Sequence, residues 1–186
     1  MAGLGKKSPL RKRAEGRFAR ASDLKRAAVV VAAAALFLWA SQALNTSPRM
    51  QPFASAYITG EPARVDYAGQ VTLLDFWYPS CPSCRADVEA LNDIDKLYRD
   101  SKLKIVSVSL NANSLDEVKK FSKDFGFERR VVYDQGGALS AQFGIQYAPT
   151  YLLIDAQGDL VYRKVGRFNA LAMKAKINEQ LAKIPS

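Results

Sequence analysis

Two cysteines, Cys81 and Cys84 in the tetrad Cys81-Pro82-Ser83-Cys84, stand where a short apolar run ends and a helical pattern begins. The run, Val71-Thr-Leu-Leu-Asp-Phe-Trp77, is rich in β-formers and bounded by Gly69 and Pro79, so it reads as a central buried strand. From Cys84 to about Arg99, Val88, Leu91, Ile94 and Leu97 recur at helical spacing with charges between them. A buried strand feeding a helix through this tetrad puts both thiols at a helix N-terminus. There the unpaired amide donors and the positive end of the helix dipole stabilise a thiolate and lower its pKa. Cys81 is therefore the expected attacking nucleophile. Cys84, one turn into the helix and expected to be the less exposed, is placed to resolve a mixed disulfide and leave Cys81 and Cys84 joined. Pro82 restrains the loop and lacks an amide proton, so Pro82 and Ser83 should tune the reduction potential. C-x-x-C in a βαβ setting is a redox signature; a pair of unreactive buried thiols or a static structural disulfide is the plainer alternative.

The rest of the body repeats the alternation. Lys104–Leu110 reads as a second core strand, and Ser114 with Glu117 three residues on is a capping-box signature for a helix ending near Gly126. A short strand at Val131–Tyr133 and a short helix around Ala138–Phe143 follow. Thr150–Asp155 and Leu160–Val165 flank a turn with Gly158 at its tight position, and a last helix fills about Asn169–Ala182. The predicted order βαβαβαββα, with parallel strands joined by helices and an antiparallel hairpin at the end, indicates an α/β sandwich.

The composition removes many other chemistries. The 186 residues contain no histidine and two cysteines, so a closed four-ligand Cys/His zinc site and histidine-based triads are excluded. No G-x-G-x-x-G or phosphate loop is present, and no metal, flavin or nucleotide cofactor is expected. Of the formal charge of +9, +7 lies in residues 1–26, where nine basic residues face only Glu15 and Asp23. The body therefore has no charge reason to bind nucleic acid.

Behind that basic tail, residues 27–44 run for 18 residues without a charge. This length suffices for one transmembrane helix, and the flanking charge places the tail in the cytoplasm and the body outside it. Ser41-Gln42-Ala43 also matches a signal-peptidase site. The 26-residue tail and Trp39 at an interfacial position favour an uncleaved anchor. The expected organisation is a basic cytoplasmic tail (1–26), a transmembrane anchor or signal (27–44), a linker rich in Pro, Ser and Asn (45–55) and one domain (56–186).

Leu74-Asp-Phe-Trp-Tyr-Pro-Ser-Cys-Pro-Ser-Cys-Arg85, followed by Tyr147-Ala-Pro-Thr-Tyr-Leu-Leu-Ile-Asp-Ala-Gln-Gly158, resembles the thioredoxin superfamily. Within it the chain is most similar to membrane-anchored thiol–disulfide reductases of the TlpA/ResA/DsbE type, over about residues 56–182. The resemblance implies a thioredoxin-like α/β/α sandwich with a central mixed sheet. It implies that Pro149 is cis and shapes the substrate groove, with the backbone of Ala148 pairing to an incoming peptide. It also implies that Asp75, six residues before Cys81, is a buried acid whose raised pKa lets it relay a proton to or from Cys84. An acid at a strand end reaching solvent is the plainer alternative for Asp75. Ser80 departs from the pattern, because the residue before the first cysteine is usually tryptophan, and one hydrophobic wall of the substrate surface is thereby weakened.

The implied activity is extracytoplasmic thiol–disulfide exchange, reducing disulfides in exported proteins with electrons from a membrane thiol donor, and cytochrome c maturation is the implied pathway. Pro82-Ser83 offers no histidine to stabilise a thiolate, which with Asp75 tilts the direction to reduction over a disulfide oxidase or isomerase. A peroxiredoxin-like peroxidase would need Thr or Ser three residues before its cysteine, where this chain has Tyr78. A non-catalytic copper chaperone would use the same two soft thiolates.

Overall fold

The computed structural model describes residues 24–40, 47–110, 113–127 and 130–185, in two units, Met1–Thr46 and Ser47–Ser186. In the first, residues 24–40 form a helix, α1, with Lys25 and Arg26 in its first turn and Val29, Leu36, Phe37 and Trp39 exposed. Among the described residues no helix is long and apolar enough to cross a membrane. The predicted span continues through 41–44, which with most of the basic tail and Ser41-Gln42-Ala43 lies outside the described residues.

The second unit contains β1 (Phe53–Ala56), β2 (Pro62–Val65), β3 (Val71–Trp77), α2 (Pro82–Leu97), β4 (Leu103–Ser109), α3 (Leu115–Asp124), β5 (Arg130–Tyr133), α4 (Ala138–Gln142), β6 (Thr150–Ile154), β7 (Leu160–Val165) and α5 (Ala170–Leu181). Five strands form one sheet in the order β5-β4-β3-β6-β7. β3, β4 and β5 are parallel, while β6 and β7 run antiparallel to their neighbours. The central mixed sheet and the nine predicted elements are present.

Two features differ from the expectation. The compact unit begins at Ser47, inside the stretch 45–55 expected as a linker, and 53–65 form an additional β-hairpin. Arg49 bridges to Asp159 and donates to the Gln157 carbonyl, while Met50 N–H donates to the Gly158 carbonyl. These strands are four residues long, with one buried residue in β1 (Phe53) and two in β2 (Ala63 and Val65), too short a pattern to stand out among Pro and Ser.

All seven residues of β3 are buried because both faces of the sheet are covered. On one face Val71 and Leu73 meet Leu91 and Ile94 of α2 and Met173 and Ile177 of α5. On the other, Leu74 and Phe76 meet Phe53 and Val65 of the hairpin and Leu139 beside Phe143 at α4. Each such fully buried side chain is worth about 1.5–3 kcal/mol of transfer free energy, so β3 is the best-anchored platform available for a loop at its C-terminal end. The β6–β7 turn closes with Gly158 at φ +89°, where a Cβ would also meet the Tyr67 ring at 3.5 Å.

Candidate active site

The cysteine loop grows out of the anchored end of β3. Cys81 is the N-cap of α2 and Pro82 its first helical residue, a position where the fixed φ of proline suits the helix and its missing N–H costs nothing. Pro82 thus starts the helix rather than restraining a loop ahead of it. The Cys84 amide donates to Cys81 Sγ at 3.1 Å, and Ser83 Oγ lies 3.5 Å from the same sulfur. The two cysteines are joined as a disulfide with Cα atoms 5.3 Å apart. Cys81 is 1% exposed and Cys84 5%, so the expected order of exposure is reversed in this oxidised form. The cause is tertiary packing: both cysteines belong to a cluster with Trp77, Val118, Phe121 and Val131, against which Tyr78 and Ala148 also pack.

The late proline comes to the same place from the other side of β3. The Ala148–Pro149 peptide bond is cis, Pro149 is buried, and its carbonyl accepts from Gly166 at the end of β7. Register explains the meeting, since Thr150 opens β6 opposite Phe76 near the end of β3. Ala148 is thereby packed on the cysteine cluster, and Tyr147 beside it is 68% exposed.

Asp75 does not reach solvent. It is 2% exposed and alternates with Leu73 and Trp77, so it lies on the face covered by α2, between the core cluster and the cysteine cluster. Ser107, its register partner on β4, donates from Oγ to Asp75 Oδ1 at 2.5 Å. Ser80 is exposed at the outer wall of the loop.

Sequence reasoning missed a second buried acid. Asp87, one turn beyond Cys84 on α2, is 2% exposed and receives Tyr151 OH at 2.9 Å and Arg167 Nε at 2.9 Å. Arg167 has its pKa raised by that hydrogen bond to Asp87 and by the carboxylate charge. Tyr151 is the β6 register partner of Asp75, so the Asp87 contacts tie the cysteine helix to the strand that begins at Pro149 and to the loop before α5. The signal available in sequence was an acid at the third position after Cys84 among inward-facing residues; its partners, 64 and 80 residues away, carry no local mark.

The profile of the Redoxin family matches residues 54–181. The chain is 26% identical over 119 residues to the thiol-disulfide oxidoreductase ResA of Bacillus thuringiensis subsp. konkukian, covering 64% of this chain and 66% of that protein, just under two thirds of its length. It is 27% identical over 143 residues to the sporulation thiol-disulfide oxidoreductase A of Bacillus subtilis, covering 75% and 87%. The crystal structure of StoA from Bacillus subtilis superposes with a TM-score of 0.62 at 26% identity, covering 69% of this chain and 98% of that one. With a disulfide at the N-terminus of α2, a cis proline opening β6 and relatives named as thiol–disulfide oxidoreductases, the chain has a thioredoxin-like fold and belongs to the Redoxin family.

Proposed function

We propose that this chain is an extracytoplasmic, membrane-anchored thiol–disulfide oxidoreductase that reduces disulfides in exported proteins. The observation that carries the direction is the poor solvation available to a Cys81 thiolate. The Cys81 residue is 1% exposed in the disulfide form, the donors at its sulfur are the Cys84 amide and the Ser83 hydroxyl, and the two residues between the cysteines are uncharged. A strong oxidant depends on a stabilised reduced form; beyond the helix N-terminus itself this site adds one hydroxyl and no charge to hold a thiolate, which favours the disulfide and a reductase.

In the reaction, Cys81 thiolate attacks one sulfur of the substrate disulfide, forming a mixed disulfide and releasing a substrate thiolate. Cys84, losing its proton towards Asp75, then attacks Cys81 Sγ, releases the second substrate thiolate and leaves Cys81–Cys84 oxidised. Two electrons pass to the substrate. A dithiol carrier in the membrane restores the pair, since the extracytoplasmic compartment lacks the cytosolic thiol systems. Ala148, packed on the cysteine cluster, and the cis Pro149 after it receive the substrate backbone. Apocytochrome c, a protein whose paired cysteines must be reduced before haem attachment, fits this substrate class.

The charge asymmetry around 27–44 supports an anchor with a cytoplasmic tail. The place where the chain joins the fold is compatible with it, because Pro48–Met50 are bonded to the β6–β7 turn, at the end of the sheet remote from the cysteines.

The deciding measurement is the reduction potential of Cys81–Cys84 by equilibration against dithiothreitol and glutathione buffers. A value near roughly −270 mV supports a reductase, and one near roughly −120 mV overturns the direction.

A further inference from the structure

A cleft of about 330 Å³ opens beside the cysteine loop, on the α3 side of β3 and away from Pro149. Pro79 and Ser80 form one wall and Phe121 and Phe125 of the α3 region the floor, with Arg85 and Lys120 at the rim. We propose that this cleft is the specificity pocket for the residue flanking the reacting cysteine of a disulfide-bearing polypeptide, and that it takes an aromatic or large aliphatic side chain. The inference rests on the disulfide-exchange reading above and adds to it the kind of sequence that the site prefers.

Three observations converge on that occupant. The first is position. Ser80, which lines the cleft, is bonded directly to Cys81, while Ala148 packs on the cysteine cluster, so a residue flanking a substrate cysteine held on Cys81 Sγ has this cleft within one residue of its attachment point. The small side chain of Ser80 leaves the cleft open, where a bulky one would fill it.

The second is the floor. Phe121 and Phe125 stack with ring centroids 4.4 Å apart, and Phe125 is 40% exposed. Apart from Leu115 in its first turn, the outward positions of α3 carry charges, among them Asp116, Lys119, Lys120, Lys123 and Asp124, so an open aromatic face at its C-terminal end is a localised apolar surface continuous with the cysteine cluster through Phe121.

The third is the state of the rim. Lys120 is paired with Asp124, and Glu117 accepts from Asn113. Arg85 lies 5.6 and 5.4 Å from the centroids of Phe121 and Phe125 and donates to the Pro79 carbonyl at 3.0 and 3.3 Å. The charges around the cleft are thus engaged with one another, with the backbone or with the rings. What remains to be covered is the apolar floor, already held in shape by the Arg85 contacts, so an incoming ring is not charged for ordering it.

The test uses the full chain, reduced, with peptides carrying a cysteine–glutathione mixed disulfide whose neighbouring residue is Phe, Leu, Gly or Lys. Hydroxyethyl disulfide serves as the reference substrate without a flanking residue, and each kcat/KM is divided by the value for it. Phe and Leu peptides are expected to be preferred over Gly by about tenfold, the usual worth of a filled apolar pocket. Phe125→Ala and, independently, Ser80→Trp should reduce that preference below about twofold. No preference in the wild type, or a preference intact in both variants, overturns the pocket. A variant that also slows hydroxyethyl disulfide is read by its ratio alone, which loss of folding does not change selectively. Failure of the wild type to react with any disulfide would instead overturn the exchange reading itself.

Discussion

Reducing the Cys81–Cys84 disulfide should destabilise the folded chain by about 2 kcal/mol, and the sign of this change reports the direction of electron flow. The bridge joins residues at a sequence separation of 3. The chain-entropy relation for a loop of about four residues gives about 2 kcal/mol at 25 °C. Reduction offers little in return, because Cys81 at 1% exposure has one amide from Cys84 and one hydroxyl from Ser83 as its nearest donors. A thermodynamic cycle equates the difference to a potential about 40 mV more reducing in the folded chain than in the same tetrad unfolded. In an oxidase the sign reverses, since its reduced form is the stabilised one. The assay is urea unfolding of the full chain, oxidised and in excess dithiothreitol, followed by the fluorescence of Trp77, which packs in the same cluster as the sulfurs. With a slope of about 1–3 kcal/mol per molar urea, the reduced midpoint should fall by about 1 M at equal slope. A reduced form as stable as the oxidised one, or more so, refutes the argument from burial.

Asp75→Asn should slow resolution by Cys84 about a hundredfold, the lower range for a lost general acid–base group, so that a Cys81 mixed disulfide builds up during turnover; unchanged single-turnover kinetics would remove Asp75 from the proton path. Asp87→Ala removes the hydrogen bond that Tyr151 OH donates to Asp87 Oδ2 inside the fold, at a cost of about 1 kcal/mol. Arg167, with its side chain 61% exposed, contributes little to that figure. A double-mutant cycle with Tyr151→Phe should return a coupling of about 1 kcal/mol or more, and additivity would show that the two do not act together. Burial holds the Tyr67 phenol well above its ordinary pKa. That stabilisation is complete below the unfolded value of about 10 and is lost as the pH climbs from there through the folded range. Tyr67→Phe, which gives up the bond to the Gln51 carbonyl, should cost about 1 kcal/mol at pH 7 and progressively less above pH 10; a difference that stays constant in urea melts at pH 7 and 11 contradicts this.

What could be read in advance was whatever one segment declares by itself. β3 shows as seven consecutive apolar or β-forming residues because it is covered on both faces, and α2 shows as Val88, Leu91 and Ile94 on one stripe because it is covered on one. The cysteine tetrad was readable for the same reason, its chemistry being complete within four residues. The β1–β2 hairpin was not, because a four-residue strand with one buried anchor makes no period, and its stability comes from Phe53 meeting Phe143 at 5.7 Å across the fold. The exposure of Cys81 was misjudged on similar grounds. A helix N-cap is ordinarily open to water, and residues from separate segments, among them Trp77, Val118, Phe121, Val131 and Ala148, pack around this one.

The same division separates the reaction from its specificity. In the proposed reaction the two sulfurs, the N-cap that holds them and the buried acid Asp75 come from the continuous stretch Asp75–Cys84, which grows out of a strand that cannot shift without uncovering seven buried residues. The surfaces proposed to meet a substrate come from elsewhere, from Tyr147-Ala148-Pro149 just before β6 and from Phe121 and Phe125 on the α3 side. Asp87 is the exception that joins the halves, since it lies on the cysteine helix yet is bonded to Tyr151 of the proline strand and to Arg167. Substitutions at Phe125 should therefore change which disulfides are chosen and leave the potential where Asp75–Cys84 sets it. Substitution of Asp87 is the one that should move preference and stability together, because it loosens the contact between the part that reacts and a part that selects.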